Sequence, residues 1–152
     1  MKSLVYLSES LTEFSDSDVE ELAHYSCLFN RQIQVTGYLY FSESRFIQYL
    51  EGEASDVDKV MKLISQDPRH EILYQVELNN VEDRLFPSWS MRHVRKPDRI
   101  NCILEHLIES NLLHLKNDSI LKERRTKLLW DHVTAISKLQ HLQPLNSPSI
   151  ST

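Results

Sequence analysis

From residue 3 to residue 91 the apolar side chains keep switching between two spacings, and that order of switching limits the folds open to the chain. Residues 3–7 alternate, with Leu4 and Tyr6 on one face and Val5 and Leu7 on the other. From Asp18 the spacing becomes helical, through Val19, Leu22, Ala23, Ser26 and Cys27, and Asn30-Arg31-Gln32 closes the helix. Residues 34–41 and 45–50 read as two strands joined by a turn at Ser42-Glu43-Ser44. Val57, Val60, Met61 and Ile64 predict a second helix, capped by Ser55 or Asp56 and stopped by Asp67-Pro68. Residues 71–78 read as a strand with Ile72, Tyr74, Val76 and Leu78 on one face. Trp89-Ser90-Met91 reads as a last strand with both large side chains on one face. The order β-α-β-β-α-β-β predicts an α/β (α+β) ferredoxin-like sandwich, one sheet with two helices on one face.

Two further helical stripes follow, Ile100, Ile103, Leu104, Leu107 and Ile108, then Ile120, Leu121, Leu128, Leu129, Val133 and Ile136. They are expected either to cover the second face of the sheet or to carry an interface. The predicted organisation is thus residues 1–95 as the main domain, 96–143 as a C-terminal helical extension, and 144–152 as a flexible tail.

The 152 residues are 41% apolar and 26% charged with a net charge of −5, which describes a soluble chain large enough for one core. No apolar run reaches the roughly 20 residues of a membrane span. Two cysteines, Cys27 and Cys102, define no disulfide framework, so a reducing cytoplasm is expected. The acidic balance disfavours a nucleic-acid binder. With only Gly37 and Gly52, no glycine-rich phosphate loop can be built. The seven histidines show no metal-ligand spacing, and no serine sits in a nucleophile elbow, so neither a metal nor a catalytic residue is expected.

What remains is a polar set on apolar elements: Tyr6, Asn30, Gln48, Trp89 and Met91. Each of the others can be excused as core filling or a helix end, but Gln48 shares a strand face with Phe46 and Leu50. Burying an unpartnered amide costs roughly 1–3 kcal/mol, so Gln48 needs a bonding partner.

In order along the chain stand Leu4-Val5-Tyr6-Leu7-Ser8, Phe29-Asn30, Val35-Thr36-Gly37-Tyr38-Leu39, Phe46-Ile47-Gln48-Tyr49-Leu50-Glu51-Gly52, Asp67-Pro68-Arg69-His70 and Arg84-Leu85-Phe86-Pro87-Ser88-Trp89-Ser90-Met91. Together, over roughly residues 3 to 93, they resemble the BLUF family of flavin-binding blue-light sensors. The resemblance implies a non-covalently bound FAD between the two sandwich helices, with Asn30 on the pyrimidine edge of the flavin. It implies Gln48 between flavin and Tyr6, Arg69 and His70 near the ribityl side, and Thr36 shaping the second strand beside the cofactor. Trp89 and Met91 are implied as the residues whose strand shifts with light. Many relatives carry a second asparagine where Arg31 stands, and a guanidinium cannot accept as an amide does. Arg31 is therefore expected to meet cofactor phosphate oxygens instead.

The family mechanism implies that light drives an electron and a proton from Tyr6, and that the Gln48 amide rearranges as they return. The signal is expected to reach a protein effector or regulator, or a second copy, by association, since 152 residues leave no room for an attached output domain. Direct nucleic-acid or membrane contact is not expected. The alternatives are a colourless protein–protein interaction module and a flavin-dependent oxidoreductase.

Overall fold

A computed structural model describes residues 1–94, 99–118 and 120–140. The elements run β1 (Lys2–Ser10), α1 (Asp16–Gln32), β2 (Thr36–Ser42), β3 (Arg45–Gly52), α2 (Ala54–Gln66), β4 (His70–Asn79), β5 (Arg92–Val94), α3 (Arg99–Asn117) and α4 (Lys122–Gln140). The sheet order is β4-β1-β3-β2-β5. The first four are antiparallel neighbours, as in a ferredoxin-like fold, and β5 joins β2 in parallel. The predicted tail, residues 144–152, and the boundary at 95–96 lie outside the described residues.

Local chemistry sets most element ends. Helix α1 starts two residues before Asp18, because Ser15 is the N-cap and exchanges hydrogen bonds with Asp18 in a capping box. Helix α2 starts at Ala54 with Glu53 as N-cap, which displaces Ser55 and Asp56 from the expected capping position. The β2–β3 hairpin closes with Ser42 paired to Arg45, and both loop residues, Glu43 and Ser44, have positive φ. That is the two-residue turn whose twist matches the flanking strands.

Both faces of the sheet are covered. Leu4, Tyr6, Leu39, Phe46 and Leu50 pack against Val19 and Ala23 of α1 and Val57, Val60 and Met61 of α2. Val5, Leu7, Tyr38, Tyr40, Ile47 and Tyr49 pack on the other side against Ile108, Leu112 and Leu115 of α3 and Leu129, Val133 and Ile136 of α4. The C-terminal helices are therefore the second covering layer. Ile103, Leu107, Ile120, Leu121 and Leu128 from the predicted stripes are exposed, because the helices are rotated to bury Ile108, Leu112, Leu129 and Val133.

Two strand expectations need correction. In β4 the pairing shifts so that Leu7 faces Tyr74 while Ser8 faces Ile72, and Leu73 is the extra residue. A bulge of this kind breaks the period of two. Ile72 consequently packs on the α1/α2 side, Tyr74 and Val76 on the α3/α4 side, and Leu78 is exposed. Trp89 and Met91 do not lie in a strand. They precede β5, and the irregular backbone sends them to opposite faces, Trp89 to the α3/α4 side and Met91 to the Tyr6 side.

The link from this segment to the sheet runs through Gly37, whose N–H donates to the Trp89 carbonyl at 2.7 Å. Gly37 has φ +152°, and a Cβ there would sit 1.8 Å from the Tyr49 carbonyl oxygen. No side-chain shift relieves a clash with backbone. Gly37→Ala is expected to cost roughly 3–5 kcal/mol, read as a lowered urea midpoint.

Candidate functional site

Between α1 and α2, above the sheet, lies a cleft of about 410 Å³ including its mouth. Tyr6, Leu39, Phe46 and Gln48 form its floor, Leu22 and Ser26 one wall, and Ile64 the other; Phe14, Asp67, Arg69 and His70 line the rim. Apolar walls with a few convergent polar groups are the usual make-up of a small-molecule site.

The floor holds a buried hydrogen-bond chain. Tyr6 stands opposite Gln48 in the β1–β3 register, and strand alternation turns both toward the cleft. The Tyr6 hydroxyl donates to Gln48 Oε1 at 2.5 Å, and Gln48 Nε2 donates to Met91 Sδ at 3.2 Å. Gln48 is 4% exposed, so its amide is satisfied by these two neighbours rather than by water. Burial pushes the Tyr6 phenol far above its ordinary range, with the Asp67 carboxylate adding to the effect, so the phenol is neutral and able to donate. A thioether is a weak acceptor, so the Met91 arm is the weaker of the two.

At the rim, Arg69 forms an ion pair with Asp67 through Nη2 at 2.7 Å and lies 5.6 Å from the Phe14 ring centre. The Arg69 guanidinium holds the Asp67 carboxyl down to about 2. His70 spans β1 and α2, with Nδ1 2.8 Å from Ser8 Oγ and Nε2 2.7 Å from the Ile64 carbonyl. A carbonyl only accepts, so Nε2 carries a hydrogen, and in the neutral ring Ser8 donates to Nδ1.

Asn30 lies one helical turn beyond Ser26 on the same line of α1, is 1% exposed, and its Nδ2 has no hydrogen-bond partner. A buried amide donor left unpaired is costly. Asn30 does not line the cleft, but a heterocycle carrying carbonyl groups and reaching one turn beyond Ser26 would satisfy its Nδ2, and a flat ring suits the apolar walls, so these residues fit a flavin. Arg31 is exposed at the end of α1 and does not line the cleft.

Thr36 does not line the cleft either. Paired with Glu51 in the register, it lies on the face opposite Gln48. Its hydroxyl donates to Glu51 Oε1 and accepts from Arg84 Nη1. Sequence reasoning also passed over Glu51 and Glu105, both fully buried, and Ser8, the partner of His70. Glu51 carried the signal that exposed Gln48, a polar residue among Ile47 and Tyr49 on one strand face. Glu105 and Ser8 had none without tertiary neighbours. No group of side chains able to hold a metal occurs among the described residues, and no described helix is long and apolar enough to cross a membrane.

An apolar cleft with a buried tyrosine–glutamine pair in its floor suits a flat, hydrogen-bonding cofactor, and comparison with known proteins gives its class. The profile of BLUF, sensors of blue light using FAD, matches residues 1–92. The chain belongs to the BLUF family. It is 35% identical over 109 residues to photoactivated adenylate cyclase subunit alpha of Euglena gracilis, covering 70% of this chain and 10% of that protein. To photoactivated adenylate cyclase subunit beta of Euglena longa it is 32% identical over 116 residues, covering 75% of this chain and 13% of that one. The chain thus spans only about a tenth of these relatives. Among solved structures, the dark state of BlrB, a BLUF protein, superposes with a TM-score of 0.60 at 26% identity, covering 89% of this chain and 96% of that one. A bacterial light-regulated adenylyl cyclase superposes with a TM-score of 0.62 at 29% identity, covering 72% and 33%.

Proposed function

We propose that this blue-light sensor signals by reversal or tautomerisation of the Gln48 amide, read out through Met91. The observation that carries this is the unbroken buried chain from the Tyr6 hydroxyl through Gln48 to Met91 Sδ. FAD held in the cleft would supply the visible absorption and a light-driven acceptor. Tyr6 would give up an electron and a proton and take both back, and Gln48 is the group that rearranges as they return. Reversal would put Nε2 against the Tyr6 oxygen, which can accept, and Oε1 against Met91, which has no hydrogen to offer. The Met91 arm then breaks while the Tyr6 arm survives with its direction inverted.

In this reading Asn30 holds the cofactor by its free amide donor, Arg69 and His70 line its outer side, and Arg31, exposed outside the cleft, is left to meet phosphate oxygens. Release of Met91 loosens the segment leading into β5. On the far side of the sheet, Trp89 of that segment packs on Phe86 at 5.2 Å between ring centres and under Arg92 at 4.6 Å. Movement there reaches the layer formed by α3 and α4, which serves as the output surface toward a protein effector or a second copy.

The test is the absorption spectrum of the purified protein before and after blue light. A yellow protein whose flavin band moves reversibly to the red is expected. A colourless protein, or one that only bleaches, would sink the proposal.

A further inference from the structure

Resting on that switch, we infer that Glu51 is its positioning residue, the anchor that keeps Met91 on Gln48 from the opposite face of the sheet. Residues 84–91 cross the sheet end as irregular chain, so no strand ladder sets where they lie. At its start the backbone is held instead by one carboxylate. Glu51 Oε2 accepts from the Leu85 N–H at 2.8 Å and Oε1 from the Phe86 N–H at 2.7 Å. The same oxygens accept from the Tyr49 hydroxyl at 2.9 Å and the Thr36 hydroxyl at 3.0 Å, which fix the carboxylate to β2 and β3. Arg84 adds Nη1 bonds to the Glu51 carbonyl and to Thr36 Oγ1.

Glu51 is 1% exposed, so its oxygens have these donors rather than water as partners. The far end of the segment is tied by the Gly37 N–H to the Trp89 carbonyl, two residues before Met91. Met91 follows the second tie by two residues and precedes Arg92, which pairs with Tyr38 in the β2–β5 ladder, so it has little freedom. The weak Gln48–Met91 bond forms because its acceptor is delivered to it. Glu51 does not line the cleft, its side-chain bonds go to Thr36, Tyr49, Leu85 and Phe86, and it acts through the segment.

A carboxylate is the residue type this anchor needs. Two oxygens facing four donors leave nothing for a donor to do at position 51. In Glu51→Gln the Nε2 hydrogens would meet an N–H, Leu85 or Phe86, with which they cannot pair. The cofactor contacts proposed for Asn30, Arg69 and His70 lie on the other face and are untouched.

The experiment compares dark recovery after blue light in wild type, Glu51→Gln, Met91→Ala and the double variant. Glu51→Gln is expected to keep flavin and slow recovery by about three- to tenfold, because the loosened segment must find its place before the dark orientation of the amide is stabilised. In the Met91→Ala background it should change nothing further, which a merely structural role would not produce. A wild-type rate in Glu51→Gln, or the same slowing with and without Met91, would overturn the anchor.

Amide hydrogen exchange in the dark separates this from failure of the switch itself. Even if no variant and no wild type shifts its spectrum, Glu51→Gln should speed exchange at Leu85, Phe86 and on to Met91, and unchanged protection there refutes the role. Should Glu51→Gln not fold, Arg84→Gln removes another arm of the anchor and carries both readouts in the same direction, with no effect again counting against it.

Discussion

Gln48→Leu is expected to give a yellow protein with no light-induced red shift. Leucine fills nearly the same space on the floor of the cleft but offers neither donor nor acceptor. The Tyr6 hydroxyl, almost fully buried, loses its acceptor, and Met91 Sδ loses its donor. The stability cost is that of one stranded buried hydroxyl, roughly 1–3 kcal/mol, which a folded domain tolerates. The cofactor contacts proposed for Asn30, Arg69 and His70 remain. Tyr6→Phe should have the same spectral outcome for a complementary reason, since the amide stays while the group that donates to it, and that supplies the electron and proton, is gone. Absorption spectra recorded before and after illumination check both variants. A normal reversible shift in either would remove that residue from the switch.

The second large effect concerns the cap. Glu105 of α3 is fully buried, its two carboxyl oxygens make no hydrogen bond, and the Tyr38 hydroxyl of β2 beside it is also unpaired. Burial pushes the Glu105 carboxyl up from an ordinary 4.5 to about 8, with the nearby phenol opposing that rise only in part. A carboxyl raised in the folded state binds a proton that the unfolded chain has already released between those two values. Stability is therefore highest below about 4.5 on this account and falls as pH rises toward about 8, by up to about 1.4 kcal/mol per pH unit. Above that range the full penalty is present and the slope vanishes. Glu105→Gln, neutral throughout, should be more stable than wild type at pH 8 and lose this slope. Thermal unfolding from pH 5 to pH 9 checks it, and parallel curves for the two proteins would show that Glu105 is solvated.

The position of this carboxyl bears on output. Tyr38 pairs in register with Arg92 of β5, so the unsatisfied contact sits where the strand after Met91 meets α3 through the sheet. A cap held by a fully satisfied interface would resist a small strand movement. One with an unpaired carboxyl and phenol at its centre starts with less to lose.

Much of this was legible in residue order. Alternation in residues 3–7 and 45–50 put Tyr6 on a face with Leu4 and Gln48 on a face with Phe46 and Leu50, because the period of a strand is a property of the backbone alone, while their pairing was implied by the family resemblance. The amide among apolar neighbours marked itself as needing a partner for the same local reason. The ferredoxin-like order followed from periods that no tertiary contact had to supply. The family followed from motifs spread over the first 92 residues.

Where the backbone leaves the regular period, sequence could not follow. The bulge at Leu73 divided a strand face that reads as continuous, and the irregular chain before β5 sent Trp89 and Met91 to opposite sides. Thr36 looked like a cofactor residue from its place in a motif, but pairing with Glu51 decided its face. Sequence by itself determined most of the strands and helices and the motifs that carry Tyr6 and Gln48, since local periods and motifs depend on neighbours a few residues away. Only the tertiary structure decided that Met91 is the second partner of Gln48, that a carboxylate behind the sheet holds it there, and that α3 buries an unpaired acid. Those contacts join residues 34 to 67 positions apart, and no local period records them.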